Sequence, residues 1–298
     1  MRATARVGTF VCVFSGSVTK LWRWPVKSLR GETVRSASID ERGMEGDRVL
    51  AVFDDGTGKH TWAGAHPRLL GWEAAWPAQC GCADGTGEAP VIYGPGGAAW
   101  AADDPALGAE MGADIGIEAG VSLRGGVDGT VGRILVLFEA SVRRLEAEVG
   151  HAVEIERFRP NMLVESDAEP FAEQFLEPGT PIKVGEAEFT VQGQCVRCTL
   201  PSWDPLGRER DKDLQKHLIT EHANIFGVYL ETPRRVRVSV GDAIGAQGAD
   251  ALSRGSVGSG RLFSLCRRGD KSGTPSGGFV WGCGANGLSR AARRPSGG

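Results

Sequence analysis

Between Gln194 and Pro205 the chain reads QCVRCTLPSWDP, and the spacing of Cys195 and Cys198 admits several chemistries. With His217 and His222 downstream, C-x2-C followed by H-x4-H is a legitimate zinc ligand set. The gap between the two pairs is longer than a C2H2 finger uses, however, and no hairpin-plus-helix miniature surrounds them. A redox dithiol would want its first cysteine at a helix N-terminus, whereas this pair follows a strand pattern and precedes a proline-containing turn. HLITEH lacks the spacing of a zincin helix, and its two histidines read as solvated. A second class of chemistry is anion binding. Cations beside backbone-restricting residues recur in WPVKSLRG (Lys27, Ser28, Arg30), EGDRV (Arg48) and RFRPN (Arg157, Arg159, Asn161), each at the end of a strand-like run. Brought together, arginine forks and short polar side chains would grip phosphate oxygens. Apart, they are surface charges.

The elements that must position these residues are mostly strands. From Val18 to Trp76, short runs with near-alternate apolar residues are separated by glycine and charged turns, with DDGTGK (54–59) as a hairpin tip. Residues 103–129 read as a loose connection. ILVLF is a buried strand, and Phe138, Val142, Leu145 and Val149 then fall at helical steps ended by Gly150. VEIERF, NMLVES, TPIKVGEAEFTVQG and RRVRVSVGDAI are strand-like, and DKDLQKHLITEH is a short helix capped by Asp211 or Asp213. The fold class expected is α+β and β-rich: two β units with a few short helices, divided near residues 105–130. No alternating β-α series is present, which argues against a doubly wound parallel sheet.

Composition narrows the function classes. The 298 residues are 41% hydrophobic and 24% charged, with a net charge of −3, giving no general reason to expect nucleic-acid or membrane partners. No window approaches a membrane span. The first 17 residues echo a signal peptide only faintly, because Ser15 and Gly16 break the apolar run, and they are expected to be disordered. Seven cysteines form no dense framework, which fits a reducing cytoplasm. The stretch 246–298 holds 13 glycines and eight Lys or Arg against two Asp, and is expected to be a disordered tail. Neither a P-loop nor a G-x-S-x-G elbow occurs, and no G-x-G-x-x-G follows a strand-like run.

The segment LWRWPVKSLRGETV…DERGMEGDRVLAVFD resembles the N-terminal β-barrel domain of the MOSC family. RFRPNMLVE…VGEAEFTVQGQCVRCTLPSWDPLGRER…FGVYLET…VSVGDAI resembles the MOSC domain itself, so the likeness covers residues 18–245. It implies an N-terminal MOSC β-barrel-type domain over 18–125 and a MOSC β-barrel domain over 126–245. The family includes mitochondrial amidoxime-reducing components and bacterial reductases of N-hydroxylated bases. By that likeness the chain is a molybdenum-dependent oxidoreductase that binds molybdenum on a pyranopterin dithiolene. Carried over by motif, Cys198 is the metal ligand and catalytic residue, and Lys27, Ser28, Arg48, Arg159 and Asn161 are cofactor contacts. The family's polar loop falls near GTVGR (129–133) and departs from the usual pattern, leaving Thr130 as a substitute. A soft thiolate suits molybdenum, and Arg197 would favour it if its side chain lay beside Cys198. Cys195 then has no required role. The substrate implied is a small N-hydroxylated molecule. With only Cys266 and Cys283 in the tail, no iron–sulfur cluster is expected, and electrons would come from a separate ferredoxin or flavin reductase. Pyridoxal phosphate is not expected either. The alternatives are a non-catalytic carrier of molybdenum cofactor or sulfur on Cys198, and, more distantly, a zinc-binding module.

Overall fold

The computed structural model describes residues 14–77, 89–125 and 133–246. The chain divides into two units, Met1–Arg254 and Gly255–Gly298, and the second lies outside the described residues, as does most of the expected tail. Seven strands of the first unit close into a barrel: β1 (Phe14–Arg23), β2 (Ile134–Phe138), β3 (Met162–Ser166), β4 (Pro181–Val184), β5 (Ala187–Val196), β6 (Ile225–Glu231) and β7 (Ala243–Ala246). Their order is β3-β2-β6-β5-β4-β7-β1, and β1 pairs back onto β3, so that none of the seven is left as a bare edge. Strands β2 and β3 are parallel, and a parallel pair needs a crossover. Helix α2 (Glu139–Val149) supplies it, burying Val142 and Leu145 and ending at Gly150, whose φ of 83° is the left-handed C-terminal conformation. The barrel interior is filled by Phe14, Val18, Phe138, Met162, Phe189 and Val228 among others.

The expected division at residue 126 is crossed twice. Strand β1 runs through the barrel of the second half, between β3 and β7, because its buried Phe14, Val18 and Leu21 complete that core. Strand Ser36–Asp40 pairs with Val236–Ser239 near the other end of the chain. Phe14–Ser17, expected to be disordered, begin β1 and pair with Ala243–Ala246. The first half otherwise supplies small sheets, Glu73–Ala75 with Val91–Tyr93 and Ala99–Ala101, and Ala51–Asp54 with Val121–Arg124.

Two further expectations are corrected. The stretch read as a loose connection holds helix α1 (Pro105–Ile115), with Asp104 accepting from Ala106 N–H (2.8 Å) at its start. Most of the strand-like VEIERF is instead a 3₁₀ turn, Ile155–Phe158, terminated by Arg159 at φ 52°. Helix α3 (Lys212–Glu221) is capped as expected, Asp211 accepting from Leu214 N–H at 2.8 Å. No helix among the described residues is long and apolar enough to cross a membrane.

Candidate functional site

Each cationic motif is held by its own local geometry. In GDR, Gly46 lets the Trp76 indole approach closely, since a Cβ there would lie 2.7 Å from its nitrogen. Asp47 accepts from Trp24 N–H (2.7 Å) and from Arg48 Nη1, and Arg48 N–H donates to Trp24 O (2.7 Å). In PVKS, Lys27 N–H donates to Leu50 O (2.8 Å), and Ser28 Oγ accepts from Ala63 N–H (3.0 Å). In RFRPN, the 3₁₀ turn delivers Arg159, and Trp24 Nε1 donates to Pro160 O (2.8 Å).

These motifs meet. Arg48 Nη2 donates to Arg159 O (2.9 Å) and Nη1 to Asn161 Oδ1 (3.3 Å). The Arg159 guanidinium lies 4.4 Å from the Trp24 ring and donates to Leu29 O (2.6 Å) and Val26 O (3.4 Å), the carbonyls that flank Lys27 and Ser28. Burial first, then repulsion by Arg48, lowers Arg159 to about 9, against the pull of Asp47 and of a Cys198 thiolate. Cys198 itself is an exposed free thiol. Lys27 is felt by His60, which burial and then the Lys27 charge hold below its ordinary value.

Three of the six non-glycine residues with positive φ among those described are Ser28 (75°), Arg48 (50°) and Arg159 (52°). Left-handed backbone costs about 1–2 kcal/mol at a residue with a Cβ. Such conformations cluster where function constrains the chain.

Other placements add detail. Asn161 is wholly buried, its Oδ1 taking Leu135 N–H (3.2 Å) as well as Arg48, so it braces Arg48. Arg197 does not lie beside Cys198. Its Nη1 donates to Cys195 Sγ (2.9 Å) and its Nη2 to Phe158 O (2.8 Å), because residues 195 and 197 share a face of the strand end. Cys195 is buried and donates to the Tyr229 hydroxyl (3.1 Å), and burial followed by Cys195 pushes Tyr229 up to about 12. The histidines read as solvated are instead largely buried against Glu148, and no cluster of described residues combines cysteine with histidine, as the zinc alternative would need. Thr130 lies outside the described residues.

Beside Arg159 opens a cavity of about 240 Å³ walled by Trp22, Trp24, Trp203, Arg30, Arg157 and Leu206 among others. Arg157 is paired with Glu154 (2.6 Å) and Arg30 with Glu73 (3.2 Å), and the buried Nε of Arg30 has no hydrogen-bond partner. Sequence reading missed Trp24 and Asp47, the two residues that tie the motifs to one another, although both stand inside the quoted motifs RWPVKS and GDR.

The MOSC N-terminal β-barrel domain model matches residues 15–87 and the MOSC domain model matches residues 127–245. The chain belongs to the MOSC family. This MOSC protein has no match among curated proteins. Among solved structures, the YuaD protein of Bacillus subtilis is similar at 12% identity and a TM-score of 0.43, over 79% of this chain and 97% of that one.

Proposed function

We propose that this MOSC protein binds a molybdenum cofactor, with Cys198 as the protein ligand to the metal, and reduces N-hydroxylated compounds. The observation that carries the reading is the convergence of Arg48 and Arg159, Arg48 Nη2 donating to Arg159 O (2.9 Å), with the exposed Cys198 near enough for a thiolate charge there to act on Arg159. The donor set fits the group. A soft thiolate suits molybdenum. Arg30, Arg157 and Arg159 along the same cavity suit an anionic arm of a bound cofactor.

When bound, the cofactor supplies the two electrons that cleave the substrate N–O bond, and with two protons the oxygen leaves as water. The protein's own residues bind and orient. Cys198 holds the metal side, and Arg48 and Arg159 hold negative charge. Trp24 keeps Arg159 aimed by stacking under its guanidinium. Asn161 fixes Arg48, and the indoles of Trp22, Trp24 and Trp203 narrow the space left to water. Electrons enter from a separate donor protein, and a reducing cytoplasm keeps Cys198 free.

The test is molybdenum content and turnover of an amidoxime by cofactor-loaded protein with an artificial electron donor, against Cys198→Ala. Turnover present in the wild type and lost in the variant is expected. Equal turnover in the two overturns the ligand assignment, and bound molybdenum without turnover in either makes the protein a carrier.

A further inference from the structure

The H-x4-H of helix α3 has no part in the cleft described above. His217 lies within α3 and His222 is its C-terminal cap, and both rings turn their Nε2 atoms to one oxygen of Glu148, in the last turn of α2. The separations are 3.0 Å from His217 and 2.7 Å from His222 to Glu148 Oε2, and the three ligand atoms lie within 4.8 Å of one another. The geometry points to a divalent transition-metal site, zinc by preference, formed by Glu148, His217 and His222.

Four features support it. The ligand types, two imidazoles and a carboxylate, are those zinc accepts. In a tetrahedral site with bonds near 2.0–2.1 Å, neighbouring ligand atoms stand about 3.3 Å apart, so the observed contacts need to widen by only about 0.3–0.6 Å. Helices α2 and α3 both end here, and helix C-termini carry partial negative charge that favours a cation. The ligands are also held from behind. Arg144 Nε occupies Glu148 Oε1 (2.8 Å), leaving Oε2 as a single donor, and the Phe171 ring packs 4.1 Å from the His222 ring. A bound ion takes the place of the two Nε2 hydrogens, each ring then carrying its proton on Nδ1, and the fourth position opens to water. The ligand set is nitrogen and oxygen only, and excludes both cysteines of the QCVRC motif.

Chelator-treated full-length protein titrated with zinc chloride should take up one equivalent that is retained in Cys198→Ala. In His217→Ala and His222→Ala that equivalent should bind at least tenfold more weakly. Cobalt chloride should give a visible d–d spectrum without thiolate charge transfer. Zinc binding should raise the thermal midpoint of the wild type, by mass action on the folded state. His222→Gln, which keeps a hydrogen-bonding side chain, serves as the folded control: with a wild-type circular dichroism spectrum it should still lose the metal. Zinc uptake unchanged in the histidine variants, lost in Cys198→Ala, or absent from the wild type overturns the site.

Discussion

Replacing Glu173 by glutamine is expected to make this protein more stable, and by an amount that depends on pH. Glu173 is fully buried in the 3₁₀ turn Ala172–Phe175. Its Oε2 accepts from Ser141 Oγ (2.8 Å), which in turn accepts from Phe171 N–H (2.8 Å), and its Oε1 has no partner. No cation among the described residues offsets its burial. Burial therefore pushes the carboxyl from 4.5 up to about 7, with the Ser141 bond pulling the other way. Below pH 4.5 folded and unfolded chains both hold the proton, and the group does not penalise folding. As pH rises from 4.5 to 7 the unfolded chain gives the proton up first, and stability falls by about 1.4 kcal/mol per pH unit. The gap of about 2.5 pH units makes the full loss about 3 kcal/mol, reached above pH 7. Glutamine is isosteric, keeps an oxygen for Ser141 and does not ionise. Urea denaturation of both proteins from pH 4.5 to 8.5 measures the effect. The variant's advantage should be near zero at the acid end and approach about 3 kcal/mol at the basic end. An advantage that is flat across this range would refute the reasoning, because it would mean that the carboxyl ionises as freely in the fold as outside it.

Trp24→Phe removes the buried donor to Pro160 O and should cost about 1–3 kcal/mol in urea denaturation, with lower molybdenum occupancy as Arg159 keeps only a smaller, weaker ring to stack on. Arg159→Lys keeps the charge but cannot fork to the Val26 and Leu29 carbonyls. Its thermal midpoint and its molybdenum content should both fall, and wild-type molybdenum content would contradict the role given to the fork. Ser28→Ala should be less stable than Ser28→Gly by about 1 kcal/mol, because both lose the acceptor for Ala63 N–H and only glycine relaxes φ 75°. Asp211→Ala should lower stability by about 1 kcal/mol through loss of the α3 cap, read from the thermal midpoint.

What could be read from the sequence was whatever rests on near neighbours. Helix α2 shows in the steps of Phe138, Val142 and Leu145, the α3 cap shows in Asp211, and the turn at 54–59 shows in its glycines. Helix α1 was hidden by residues that its packing requires. A Cβ at Gly108 would meet Val121 O at 2.1 Å and one at Gly112 would meet Gly120 Cα at 2.7 Å, so the helix must carry glycines that read as a loop. The barrel membership of β1 depends on Met162–Ser166 and Ala243–Ala246, far along the chain, and no local pattern reports a pairing of that range. At the site, the cationic motifs stood out by residue type. That Arg197 faces Cys195 follows from strand alternation, a signal present in the spacing but outweighed by the adjacency of Arg197 to Cys198.

The left-handed backbones of Ser28, Arg48 and Arg159 bear on how such a sequence can drift. Glycine would relieve the backbone at each of these positions, but it would also give up the bond that Ser28 takes from Ala63 N–H and those that Arg48 and Arg159 give to carbonyls of other segments. The three positions therefore set local strain against ties between distant segments, and neither can be removed without the other. Among proteins of this architecture, a chain with glycine at all three should be locally freer and globally less heat-resistant.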